Sequence, residues 1–199
     1  MNVDDTQMRE AEKALTQRVL DFWFGEEGSE GFGESRTEWF KKDDSFDEQI
    51  RDQFLDDVEE AIGGGHPYMP ETQKGALALV ILLDQFPRNL FRGTASAFAG
   101  DKKALQLANE ALRNGFDEGL PVSQQMFFYL PFEHSESLDD QQRCLDLFKA
   151  AGNDDLVKWA QAHYDIIARF ARFPHRNQAL GRESTAEEIA FLEEPNSSF

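Results

Sequence analysis

The chain has 199 residues, enough for a single domain with a sizeable core, and a formal net charge of -18 at pH 7. That excess of acid repels phosphate backbones and anionic membrane surfaces, so neither nucleic acid nor a membrane is expected as a partner. Its 40% hydrophobic content and 18 Phe exclude a disordered chain and let Phe supply much of the packing.

In chain order, Met1–Gly25 reads as a polar lead-in and then a helix, with Leu15, Val19, Phe22 and Trp23 on one face. Glu26–Lys42 reads as a loop that Phe32, Trp39 and Phe40 can pin to the body. Ser45 and Glu48 form a capping-box pattern before Phe46, Ile50, Phe54, Val58 and Ile62, a stripe of period four ended by Gly63, Gly64 and Gly65. Thr72–Phe86 predicts a buried helix capped by Thr72, and Asp101 opens a further helix toward Gly115. Pro121 begins a short helix that Pro131 interrupts or kinks. Leu138–Ala151 follows as a helix, and Asn153 caps a long one, Asp154–Phe173, with Leu156, Trp159, Ala160, His163, Ile167 and Phe170 sharing a face. Ser184 with Glu187 and Thr185 with Glu188 offer overlapping caps for a last helix, Ala186–Glu194. With no β-type alternation, the expected fold is all-α: one domain of about seven or eight helices over residues 1–199, with flexible tails at 1–10 and 195–199.

Basic residues are not spread evenly. Gly63–Gly100 carries only Glu71 and Asp84 against Lys74, Arg88 and Arg92, and Ile166–Arg182 carries Arg169, Arg172, Arg176 and Arg182 with no acid. Both stretches hold a Phe-Pro step followed by Arg-Asn: Phe86-Pro87-Arg88-Asn89 and, after one more residue, Phe173-Pro174-His175-Arg176-Asn177. Proline ends a helix, so each Arg-Asn pair is expected in a loop at a helix C-terminus. Asp84, read as lying in a last turn, would face the negative end of the helix dipole and needs a cationic partner, Arg88 or an arginine near Phe173. Between the two motifs, Glu133, His134 and Glu136 add two carboxylates and a titratable imidazole. His163 reads as a core histidine and Cys144 as packing.

The sequence holds no zinc-protease, di-iron, nucleophile-elbow, phosphate-loop or dinucleotide motif. Neither a cofactor nor a metal site is expected. A lone cysteine and an N-terminus without the layout of a secretion signal point to the cytoplasm. The longest apolar run, Ala76–Leu83, is far short of the ~20 residues a membrane span needs.

Four segments together resemble domain-of-unknown-function family 924. They are Asp21–Gly25; Leu83–Asn89 with Phe91–Ala95; Tyr129–Glu136; and Arg172–Asn177 with Leu180–Arg182. The similarity runs in order from about Val19 to about Leu192. Two positions depart from the family pattern: Glu133 stands where an apolar residue is common, and Ala171 where Gly is usual. The resemblance implies an all-helical, tetratricopeptide-like fold with no established activity, and Glu133 is set behind His134 and Glu136 as a catalytic candidate.

Three readings follow. In the first, Asp84, Arg88, Asn89, Arg92, Arg172, Arg176, Asn177 and Arg182 line a pocket for a small anionic metabolite, with His134, His175 and Glu136 as the catalytic candidates if the protein is an enzyme. In the second, a helical groove or the acidic face of Met1–Ile62 holds a basic protein partner. In the third, the arginines only tie loops to helix ends.

Overall fold

The computed structural model describes residues 3–195 and 197. Met1, Asn2, Asn196, Ser198 and Phe199, which include parts of both expected tails, lie outside the described residues. The fold is all-α. Its segments are α1 (Val3–Phe24), α2 (Asp44–Gly63), α3 (Gln73–Val80), α4 (Phe86–Leu90), α5 (Asp101–Arg113), α6 (Val122–Glu133), α7 (Leu138–Ala151), α8 (Asp154–Phe170) and α9 (Ala186–Leu192). A π-helical turn, Ile81–Gln85, fuses α3 and α4, so these segments make eight helices among the described residues. No described helix is long and apolar enough to cross a membrane.

Helix ends follow local chemistry. Thr72 accepts a hydrogen bond from the Gly75 N–H, Asn153 caps α8, and Gly64 closes α2 in the left-handed region at φ 96°. Of the two overlapping signals before α9, Thr185 with Glu188 forms the capping box. α2 departs from expectation: Asp43, not Ser45, is its cap, accepting from the Ser45 and Phe46 N–H groups. The polar lead-in is helical from Val3 onward.

The larger core joins α1 through α8 around rings in mutual contact: Phe22, Trp23, Phe24, Trp39, Phe46, Phe54, Phe86 and Phe127. Trp39 does pin its loop, its indole N–H donating to the Trp23 carbonyl, whereas Phe40 is exposed. Ile166, Ile167, Phe173 and Phe191 form a smaller core where α8 and α9 meet. Trp159, expected on the buried face of α8, is exposed.

The two prolines act differently. The second lies beyond a helix end, as expected, but the helix stops early: α8 ends at Phe170 and not at Phe173, Ala171 turns the chain at φ 56°, and Pro174–Arg176 is a short 3-10 turn beyond it. The first Phe-Pro step does not stop its helix. Pro87 has no N–H to donate to the Leu83 carbonyl in α register, and the chain widens instead, the Phe86 N–H bonding to Ile81 O five residues back. Asp84 therefore lies inside a buried, continuous helix and not in a last turn. Pro131 likewise sits within α6, which continues to Glu133.

Gly100 brings the start of α5 against the wide turn. A Cβ there would overlap the Leu83 carbonyl, so only glycine lets the chain pass this close and deliver Asp101 beside Arg88. Gly100→Ala is expected to lower stability by about 1–3 kcal/mol in urea denaturation, the range for forcing atoms into packed space.

Candidate functional site

Asp84 is the centre of the polar interior. It is fully buried, and its carboxylate accepts hydrogen bonds from His134 Nδ1 at 2.8 and 3.0 Å and from the Gln85 amide at 2.5 Å, with Arg88 Nη1 at 3.4 Å. Burial alone would push this carboxyl up. The Arg88 charge and the His134 and Gln85 hydrogen bonds overcome that and hold it well below the usual range, so it is ionised.

Arg88 donates to the Asp84 carbonyl at 2.5 Å and grips Asp101 through two bonds of 2.8 and 3.1 Å. Arg176 reaches the same carboxylate from the second motif, with Nη1 at 3.3 Å from Asp101 Oδ2. The two motifs thus meet at Asp101. Phe98 lies beneath both guanidinium groups, at 5.7 Å from Arg88 and 4.7 Å from Arg176, and Phe173 covers the other side of Arg176 at 4.4 Å. The Arg176 side chain is 7% exposed, and its Nε–H finds no partner among the described residues. Burial, and then the neighbouring Arg88 charge, push its pKa down to about 10.

His134 caps the end of α6, where the buried Gln141 amide donates to the Glu133 and Ser135 carbonyls at 2.5 and 2.8 Å and fixes the turn. Because Asp84 is ionised, His134 Nδ1 is the donor between them. Burial and the Arg88 charge lower the His134 pKa more than Asp84 raises it, which leaves a neutral imidazole at pH 7. His163 lies 6.5 Å from it, ring to ring, and His175 stacks near Phe173 at 5.5 Å. Burial takes these two down to about 3 and about 4.

Glu133 turns inward. It is buried against Cys144 Sγ at 3.8 Å and His163 Nδ1 at 3.4 Å, and burial, with Asp84 adding to it, raises its pKa to about 8. Cys144, buried beside it, is pushed far up and stays a thiol.

The remaining candidates sit in separate carboxylate clamps. Arg92 grips Asp47 through bonds of 2.6 and 2.9 Å, and Asn89 donates to the same carboxylate at 2.7 Å, tying α4 to α2. Arg172 grips Glu188 through bonds of 2.6 and 2.7 Å. Arg182 grips Glu136 at 2.7 and 3.0 Å and also donates to Asn177 and the Phe173 carbonyl. Glu136 accepts the Phe173 N–H as well, so it anchors the second loop, whereas the imidazole of His134 bonds to Asp84. Although burial raises it, the Arg182 and Phe173 hydrogen bonds leave the Glu136 pKa lowered.

Asp84, Arg88, Arg176, His134 and His175 are therefore brought into one cluster, while Asn89, Arg92, Arg172, Asn177, Arg182 and Glu136 serve the clamps. Sequence reading missed Asp101 and Phe98, which join the two arginines. Asp101 carried one usable signal, an acid following a Gly at a helix start. Two surface depressions, of about 180 and 510 Å³, lie elsewhere, the first beside Gln17 and Lys74, the second beside Met8 and His66. Among the described residues no group of three or more His, Cys, Asp or Glu is placed to hold a metal ion.

The family described as "Bacterial protein of unknown function (DUF924)" matches residues 19–196. The chain belongs to this family. The span matched to DUF924 takes in Asp84, Asp101, His134 and Arg176 of this chain. A solved structure titled as a protein of unknown function, ATU0120 from Agrobacterium tumefaciens, is similar at 41% identity and a TM-score of 0.81, covering 91% of this chain and 98% of that one. No curated protein matches the chain. At Ala171 this DUF924 chain places an L side chain in a left-handed turn where glycine would be unstrained.

Proposed function

We propose that this DUF924 protein binds a small anionic metabolite, a carboxylate or phosphate, at Arg176, with the charge of Arg88 and the imidazole of His134 beside it. The observation that carries this reading is the state of Arg176. A guanidinium has five N–H donors in a planar fork suited to oxyanions. Arg176 is nine-tenths buried, yet spends one long bond on Asp101 and leaves its Nε–H unpaired. Arg92, Arg172 and Arg182 each grip a carboxylate through two bonds, which supports a purely structural role for those three. The single buried cysteine suits a reducing, cytoplasmic setting, and the consecutive packing of α6, α7 and α8 suits tetratricopeptide-like stacking.

The test is thermal unfolding with inorganic phosphate or malonate. A ligand at ten times its Kd adds about 1.4 kcal/mol, a rise of roughly 3 °C for a domain of this size. That rise is expected for the wild type and for Arg92→Ala and is expected to vanish in Arg176→Lys, which keeps the charge and loses the fork. No rise in the wild type at 10 mM of either anion, on the order of a weak metabolite site, overturns the reading.

One observation favours a second reading, a protein-interaction surface. The depression of about 510 Å³ is lined by apolar Met8 and Leu15, by the acids Glu12, Asp57 and Glu60, and by Arg18 paired with Asp57, which leaves an excess of acid there. A basic peptide fits that charge. Capture of such a peptide, lost in Asp57→Asn/Glu60→Gln and kept in Arg176→Lys, would favour this surface over the arginine site.

A further inference from the structure

Binding an anion needs arginines; it does not need the pair made by Asp84 and His134. Asp84 is fully buried inside the wide helical turn, fixed by Gln85 and Arg88, and its strong hydrogen bond holds His134 Nδ1. A bond at Nδ1 sets the tautomer and leaves the lone pair of a neutral imidazole on Nε2. The His134 side chain is 15% exposed and, among the described residues, its hydrogen bonds all run from Nδ1, so Nε2 is left for a ligand. Gln141 locks the turn that carries the ring. An oriented, neutral imidazole backed by a buried carboxylate, with two guanidinium groups alongside, has the parts of a proton-transfer site.

We propose that His134 is the catalytic base of an enzyme acting on a small carboxylate, with Asp84 as its positioning residue. This inference rests on the anion site proposed above and assigns it a reaction. His134 Nε2 takes the proton from the carbon next to the bound carboxylate: the C–H bond breaks, an N–H bond forms, and the electron pair moves into the carboxylate, which becomes a dianionic enediolate. Arg176 and Arg88 meet that added charge, and Asp84 balances the imidazolium. Return of a proton to the carbon completes the cycle with no co-reactant, so the least the site does is exchange that hydrogen with solvent. The neutral state of His134 at pH 7 suits it to begin as the base.

The experiment uses malonate in D2O, its methylene signal followed by proton NMR with the full-length protein. The wild type is expected to replace the methylene hydrogens at least tenfold faster than His134→Gln. Asp84→Asn, which presents the wrong partner to Nδ1, is expected to slow exchange several-fold, though no further than His134→Gln does, while keeping the malonate-dependent rise in melting temperature, a separation a merely structural carboxylate would not produce. Melting stabilised by malonate with exchange no faster than in His134→Gln sinks the catalytic assignment and leaves the anion site standing. Absence of any melting shift removes both. Should His134→Gln fail to fold, carbethoxylation of wild-type His134 by diethyl pyrocarbonate, mapped by mass spectrometry, takes its place: malonate is expected to slow the modification, and an unchanged rate overturns the assignment.

Discussion

Asp84→Ala is expected to destabilise the protein by about 3–5 kcal/mol, the range for removing one member of a buried charged network. The carboxylate has no contact with solvent and receives His134, Gln85 and Arg88. Its loss leaves Arg88 a buried cation with half its compensation and leaves Gln85 and His134 Nδ1 with unpaired donors. Arg92→Ala supplies the contrast. Arg92 is over a third exposed in its pair with Asp47, so its removal is expected to cost no more than about 1 kcal/mol. Urea denaturation of the two variants side by side checks the ranking. Equal losses would mean that Asp84 is not the centre of the network.

Glu133→Gln is expected to change how stability depends on pH. The folded carboxyl titrates near 8, against an ordinary value of 4.5, because burial penalises its charged form and Asp84 adds to the penalty. Between those values the folded chain keeps a proton that the unfolded chain gives up. Stability from this group therefore falls as pH rises through the window and levels off above about 8. At 1.36 kcal/mol per unit the fall is on the order of 5 kcal/mol across the window. His134, His163 and His175 act oppositely: their lowered values favour the folded state as pH rises, an effect complete about a unit above the ordinary value of 6.5 and shared by both proteins. The difference between the two proteins therefore isolates Glu133. From pH 6.5 to 8 Glu133→Gln, neutral throughout, is expected to gain on the wild type by roughly 2 kcal/mol. Unfolding midpoints at closely spaced pH values check this, and parallel curves would refute it.

Helices and most of their ends were legible in the sequence because they depend on neighbours a few residues away. Thr72, Asn153 and Thr185 cap as their spacing predicts, and the four-residue stripe from Phe46 to Val58 is buried. The α2 cap went to Asp43 because an Asp just outside the helix can reach two free N–H groups at once. What the sequence could not show was a choice between two answers to the same constraint. Proline forbids one backbone bond, and a helix can either end, as near Phe173, or widen, as before Phe86. The apolar residues Ala76–Leu83, all buried, favour continuing because stopping there would expose backbone inside the core. The convergence of both arginine motifs is an expectation drawn from their shared pattern and local surplus of arginine, but the carboxylate that unites them comes from α5 and depends on the close passage at Gly100, which no local pattern encodes.

The widened turn also sets the rotational phase of everything after it. Each residue advances an α-helix by about 100°, so a turn that absorbs one extra residue rotates the following segment by that angle relative to an uninterrupted helix. Trimming a single residue from 81–85 would leave the hydrophobic character of this stretch almost untouched, yet would swing Arg88 a quarter-turn or more away from Asp101 and Asn89 and Arg92 away from Asp47. The alignment of two distant parts of the chain is thus carried by the length of one short segment, and a relative that lacks that residue would have to find its interior ion pairs with different partners.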